Sequence, residues 1–237
     1  MKDFPKKPES ILEDFFISVQ QYIQGLIEEE ADLMAGLTDF VTKAWEVPKE
    51  YKGQSGQMGF IPEYLVFETV KQYLASKKNM FFMPLVRSRT IEGHVETNYF
   101  VDSKDDPRNL LCQGLRTHGD IPNLTGLPIL DYAHDVFYLA RENVWSVKAI
   151  FEVKGYFGTP NLEEDLNRLK HAEKNYPLSE NYTLVFVGFK KQDWLTKKER
   201  ELIRTFCITN NNYCVLPGDT NYALGNSSLN KILNLIS

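Results

Sequence analysis

The sequence predicts an α/β fold, a layered sheet with helices on its faces, and three observations point to it. From about residue 60 onward, apolar spacing reads helix, several strands, helix, strand, helix, strand. Tyr182–Phe189 (YTLVFVGF) is nearly all apolar and β-prone, as a strand covered on both faces requires. Residues 10–46 repeat apolar side chains at helical spacing, which sets a helical extension in front of that order. The expected organisation is a helical segment over 1–48, a loop or linker over 49–59, and an α/β domain over 60–237.

Each element has its own signal. Ser10 followed by Glu13 is a capping-box pattern that opens a helix. The apolar rhythm runs from Ile11 to Ile27, pauses at Glu28-Glu29-Glu30, and resumes from Leu33 to Trp45, where Pro48 stops it. This predicts two helices, or one long bent one. Their stripe is too wide to sit in water, so it packs on the main domain or on a second copy. Lys49–Gly59 is polar and Gly-rich, as a linker is. Pro62 suits the first turn of a helix running to about Ser76. Strand-like segments follow at Met80–Val86, His94–Val101, part of Ile129–Leu139, and Val147–Lys154. Ser103–Leu127, rich in Asp, Pro, Asn and Gly, reads as an irregular insertion. Asn161 with Glu164 signals a helix buried through Leu162, Leu166, Leu169 and Ala172. Thr196 with Glu199 opens a last long helix, and Tyr213–Leu216 ends the pattern as a short strand.

Composition narrows the classes. The 237 residues suffice for a full core, and the balance of 43% hydrophobic and 25% charged residues is that of an ordinary globular protein. No apolar run approaches the roughly 20 residues that cross a bilayer, and Met1–Glu9 lacks an apolar signal core. Cys112, Cys207 and Cys214 are odd in number and lack paired spacing, which fits core fillers in a reducing, cytoplasmic interior. A formal charge of −5 excludes a basic nucleic-acid coat but leaves room for a local basic groove.

The chemistry sits in Val147–Lys154. Alternation along a strand puts Glu152 and Lys154 on one side, Phe151 and Val153 on the other. Two charges ending an apolar strand either emerge into solvent or meet a partner or metal. Asp135 heads the apolar run Val136–Leu139, and a hairpin turning at Arg141-Glu-Asn143 brings Asp135 beside Glu152. Two carboxylates that close repel unless a cation or a shared proton intervenes, and a hard divalent ion suits oxygen donors. At 100° per residue, Glu63 falls in the middle of the apolar face of its helix, with Val66, Phe67, Val70 and Leu74, whereas Glu68 falls on the opposite, solvated side. Glu63 is therefore either a satisfied buried acid or a member of the site.

Other candidates carry less. Asp131 and Asp120 are rival acids, the first ahead of the β-run and the second in a His-Gly-Asp turn. His94, His118, His134 and His171 show no zinc spacing, and His134 reads as a surface or strand-end residue. The Gly-x-x-Gly at Gly53–Gly56 lies in a polar loop. Lys77-Lys78, Lys190-Lys191 and Lys197-Lys198 with Arg200 read as solvated charges, while Lys170 and Lys174 are better placed to meet a nucleic-acid strand. Tyr156 and Phe157 offer either base stacking or core packing.

Asp135 in His-Asp-Val-Phe-Tyr, Glu152-Val-Lys154 and the helix acid in Gly-Phe-Ile-Pro-Glu63 together resemble the PD-(D/E)XK nuclease superfamily, over roughly residues 58–216. His134 departs from the usual Pro. The resemblance implies a restriction-endonuclease-like core, αβββαβ, with a central mixed sheet flanked by helices. It also implies a Mg²⁺-dependent endonuclease of restriction or defence type, with Mn²⁺ as a substitute ion and DNA favoured over RNA as partner. Asp135, Glu152 and the backbone carbonyl of Val153 would bind the ion, Glu63 would help hold it, and Lys154 would orient or deprotonate water. A nuclease-like module without catalysis, binding nucleic acid or protein through the N-terminal stripe, is the alternative. A homodimer through the N-terminal helices is a further expectation.

Overall fold

The computed structural model describes residues 8–45, 57–78, 80–89, 95–118, 124–218 and 227–237. Hairpins and crossovers set the order of its sheet. Strands β1 (Met83–Arg89), β2 (Val95–Val101), β3 (Asn109–His118), β4 (Ile129–Arg141) and β5 (Trp145–Lys154) pair antiparallel, each with the next. Strands β6 (Leu178–Gly188) and β7 (Asn212–Val215) then add parallel to β5, because helices α4 (Thr159–Asn175) and α5 (Lys197–Phe206) supply the crossovers a parallel return needs. The result is one mixed seven-stranded sheet in sequential order.

Two cores flank that sheet. Helices α1 (Pro8–Glu28), α2 (Leu33–Trp45), α3 (Gln57–Lys78) and α6 (Leu229–Ile236) pack on the face carrying Val136, Tyr138, Phe151, Val153 and Val185. Helices α4 and α5 cover the face carrying Phe137, Leu139, Ile150, Leu184 and Phe186. Neighbours Ile150 and Phe151 thus go to opposite cores, as a period of two dictates. The α/β class expected from the sequence is the class found.

The N-terminal helices pack on their own chain. Val19, Ile23 and Leu37 are fully buried, and the Phe16 ring meets Tyr64 of α3 edge-on at 4.8 Å. A partner or second copy using this stripe would first have to unpack it. Their presence also corrects the reading of Glu68. Its side of α3 is covered, and Glu68 is buried with Lys71 Nζ at 2.6 Å.

Other expectations shift. The insertion expected at Ser103–Leu127 contains β3. Five strands, rather than the four strand-like segments read from the sequence, lie between α3 and α4. Helix α3 begins at Gln57, so Pro62 stands inside it and residues 57–59 are helical; the rest of the expected linker, with Gly53–Gly56, lies outside the described residues. Likewise α1 begins at Pro8, ahead of Ser10. Helix α4 starts two residues before Asn161, with Gly158 as its N-cap and Pro160 in the first turn. Helix α6 was not anticipated. Among the described residues, no helix is long and apolar enough to cross a membrane.

The box at Thr196 forms as expected. Its hydroxyl accepts from Glu199 N–H at 3.2 Å, and Glu199 Oε2 accepts from Thr196 N–H at 2.8 Å. Thr196→Ala is expected to lower stability by about 1 kcal/mol. Chemical denaturation checks this, and an unchanged midpoint would show that the box adds nothing.

Candidate active site

The site begins where two strands part. Towards the end of β5, the last β4–β5 pair is Val136 with Phe151. Beyond it a side chain replaces the backbone ladder: Asp135 Oδ2 accepts from Val153 N–H at 2.6 Å. That bond fixes Asp135 beside the end of β5, and Lys154 Nζ lies 3.5 Å from the same oxygen. Glu152, one residue before Val153, is fully buried. From α3, Glu63 reaches the field of Asp135, Lys154 and Glu152. The structure therefore brings Asp135 and Lys154 together at the end of β5, with Glu152 buried alongside and Glu63 near enough for their charges to act on it. Val153 has its side chain in the core and its N–H on Asp135. Asp135 itself lies well inside β4, which starts at Ile129, rather than at the head of the strand.

Burial and mutual repulsion govern the charges. Burial, then Asp135 and Glu152, push the Glu63 carboxyl up to about 7 against the pull of Lys154. Burial first, and Asp135 second, raise Glu152 well above the carboxylate range. For Lys154, burial opposes the charge, yet Asp135, Asp165, Glu152 and Glu63 outweigh it and raise its affinity for the proton. Lys154 is thus a firmly protonated ammonium among four acids.

Three contributors escaped the sequence. His134 is fully buried, not a surface or strand-end residue, and its Nδ1 lies 2.6 Å from Glu152 Oε1. Its Nε2 lies 3.3 Å from the Tyr176 hydroxyl, which donates to Asp131 Oδ1 at 2.8 Å. Burial lowers the His134 pKa to about 4. Asp165 and Arg168 of α4 close the other side. Lys154 Nζ is 3.9 Å from Asp165 Oδ1, which also pairs with Arg168. The sequence held a signal for Asp165, since with Leu162, Leu166 and Leu169 it falls on the buried stripe of its helix. Glu152 Oε2, Asp165 Oδ2 and Arg168 Nε are all buried without a hydrogen-bond partner.

The rival Asp131 is exposed and tied to Tyr176 and His171, and Asp120 lies outside the described residues. Lys190 is not a solvated charge. It is buried, with Glu199 Oε2 at 2.9 Å. Lys170 is half-buried and Lys174 exposed on α4. Cys112 and Cys214 are buried fillers, and Cys207 is half-buried.

Among the described residues, no group of three or more His, Cys, Asp or Glu side chains stands ready to hold a metal ion. The acids are engaged elsewhere, Asp135 with Val153 and Lys154, and one Glu152 oxygen with His134. The donor chemistry nonetheless fits a hard divalent cation. The donors are carboxylate oxygens, they repel one another, and a buried Glu152 oxygen has no partner. No family model, no curated protein and no solved structure matches this chain.

Proposed function

We propose that this chain is a metal-dependent nuclease acting on DNA, with a restriction-endonuclease-like core. The observation that carries the proposal is Glu152: a carboxylate buried at a strand end, one oxygen on His134 and the other unpartnered, beside a second acid and a protonated lysine. The core reading rests on α3, β3–β5, α4 and β6, which follow the order αβββαβ, with β1 and β2 as an added pair at one edge and β7 at the other.

Asp135, Glu152 and the Val153 carbonyl would hold Mg²⁺, or Mn²⁺ in its place, with Glu63 assisting. When bound, such an ion polarises a phosphoryl oxygen and lowers the pKa of a bound water. The chain's own residues do the rest. Lys154, held protonated between Asp135 and Asp165, orients water and stabilises phosphate charge rather than acting as a base. His134 fixes which Glu152 oxygen is engaged and which is left without a partner. Arg168 holds Asp165, and Asp165 helps to hold Lys154.

Incubating the purified chain with supercoiled plasmid in Mg²⁺ or Mn²⁺, and in parallel with EDTA, tests the reading. Nicking or linearisation that needs the ion is the expected result. A chain that binds DNA but leaves it intact under every ion would instead be the non-catalytic module.

A further inference from the structure

The carboxyl edge of β5 and β6 carries a second feature that the chemistry does not use. Open parallel sheets take their ligands at this edge. Lys154 ends β5 there, and Phe189 N–H, just past β6, donates to the Lys154 carbonyl at 2.9 Å, so the loops after both strands are joined beside the site. Two large aromatic rings project from these loops. Tyr156, two residues beyond Lys154, is 71% exposed, and Trp194 is 62% exposed. Neither is stray surface, because each is paired with a lysine. Lys190 Nζ lies 5.6 Å from the Tyr156 ring centroid, and Lys191 Nζ lies 5.8 Å from that of Trp194.

The two lysines play different parts. Lys190 is buried, accepted by Glu199 at 2.9 Å and by the Phe157 carbonyl at 3.2 Å, so it is a neutralised strut that holds the Tyr156 loop. Phe157 beneath is 1% exposed and anchors the same loop in the core. Lys191 is exposed and keeps its charge for solvent or a ligand. Two exposed rings on a fixed base, with an exposed ammonium at one of them, match a polyanion whose bases are unstacked. A closed duplex hides the faces of its bases, so it offers such rings nothing to stack on.

We propose that Tyr156 and Trp194 form a stacking platform for an unpaired DNA strand at the mouth of the candidate site, with Lys191 on its phosphates. The choice of DNA rests on the nuclease reading; the platform does not. Binding is measured by fluorescence anisotropy in EDTA, so that nothing is cut, with a labelled oligothymidine and a duplex of equal length. Tyr156→Ala and Trp194→Ala should each weaken single-strand binding about tenfold, and Tyr156→Phe and Trp194→Phe should restore it. Duplex binding should not move, and Lys191→Ala should flatten the salt dependence of single-strand binding.

The platform is overturned if the alanine variants bind the oligomer as the wild type does, or lose duplex and single strand alike. Equal or tighter binding of oligouridine overturns the choice of DNA. The plasmid assay separates the two readings. Ring-dependent binding without cleavage keeps the platform and removes the nuclease, and cleavage with ring-independent binding does the reverse.

Discussion

Glu152→Gln is expected to lower Mg²⁺-dependent cleavage by about three orders of magnitude, or about 4 kcal/mol of transition-state stabilisation. The substitution changes one atom. Gln can serve His134 Nδ1 through either its carbonyl or its amide, so the buried contact survives. What is lost is an oxygen that can give up its proton to a divalent cation and take on charge beside Asp135, and with it the reason for that cation to enter. Because the carboxylate is wholly buried, its replacement by a neutral amide should leave thermal stability equal or higher. Calorimetric titration with Mg²⁺ and a thermal melt accompany the cleavage assay. Cleavage within tenfold of the wild type, by a folded variant, would remove Glu152 from the site.

The second large effect concerns stability, and its sign is fixed by Glu63. Its carboxyl titrates near 7 in the folded chain against 4.5 for the free side chain, chiefly because it is buried. The folded state therefore binds this proton more tightly than the unfolded state does. The stabilisation is complete below about 4.5 and is lost as pH rises through about 7. Discounted for partial exposure, the loss is of order 2 kcal/mol. His134 runs the other way, since its pKa falls from 6.5 to about 4 and its contribution is gained as pH rises across that interval. Comparison with Glu63→Gln isolates the first effect. Denaturation of both proteins without divalent ions, between about pH 5 and about pH 8, should show the variant gaining on the wild type as pH rises. Parallel stability curves would mean that the fold does not raise the Glu63 carboxyl.

Period-two alternation sufficed to pair Glu152 with Lys154, and the helical wheel sufficed to turn Glu63 inward, because both patterns are local. Asp135 was legible for the wrong reason. The run of polar residues at Asp131 and His134 hid the first half of β4, so the strand was expected to start at Asp135. Strand β3 was hidden in the same way, its apolar Leu110, Leu111 and Cys112 lying between segments rich in Pro, Asp and Gly. Helix α6 has a local signal too, since Leu229, Ile232, Leu233 and Ile236 fall on one face behind the Ser228 cap. The burial of Glu68 and Lys190 was not readable, since it depends on helices and loops remote in the chain covering them. His134 and Arg168 belong to the same class. Each looks like an ordinary polar residue until the fold sets it against a buried carboxylate.

The bond from Asp135 to Val153 has a bearing on how variants of this protein are interpreted. One carboxylate serves as a fastener between two strands and as a prospective donor to the ion. Truncating it unhooks the sheet and empties the donor set together, so an inert Asp135→Ala protein is poor evidence about chemistry. Asn at that position keeps an oxygen for the amide and discards the charge, and only that exchange can tell loosened architecture from missing electrostatics.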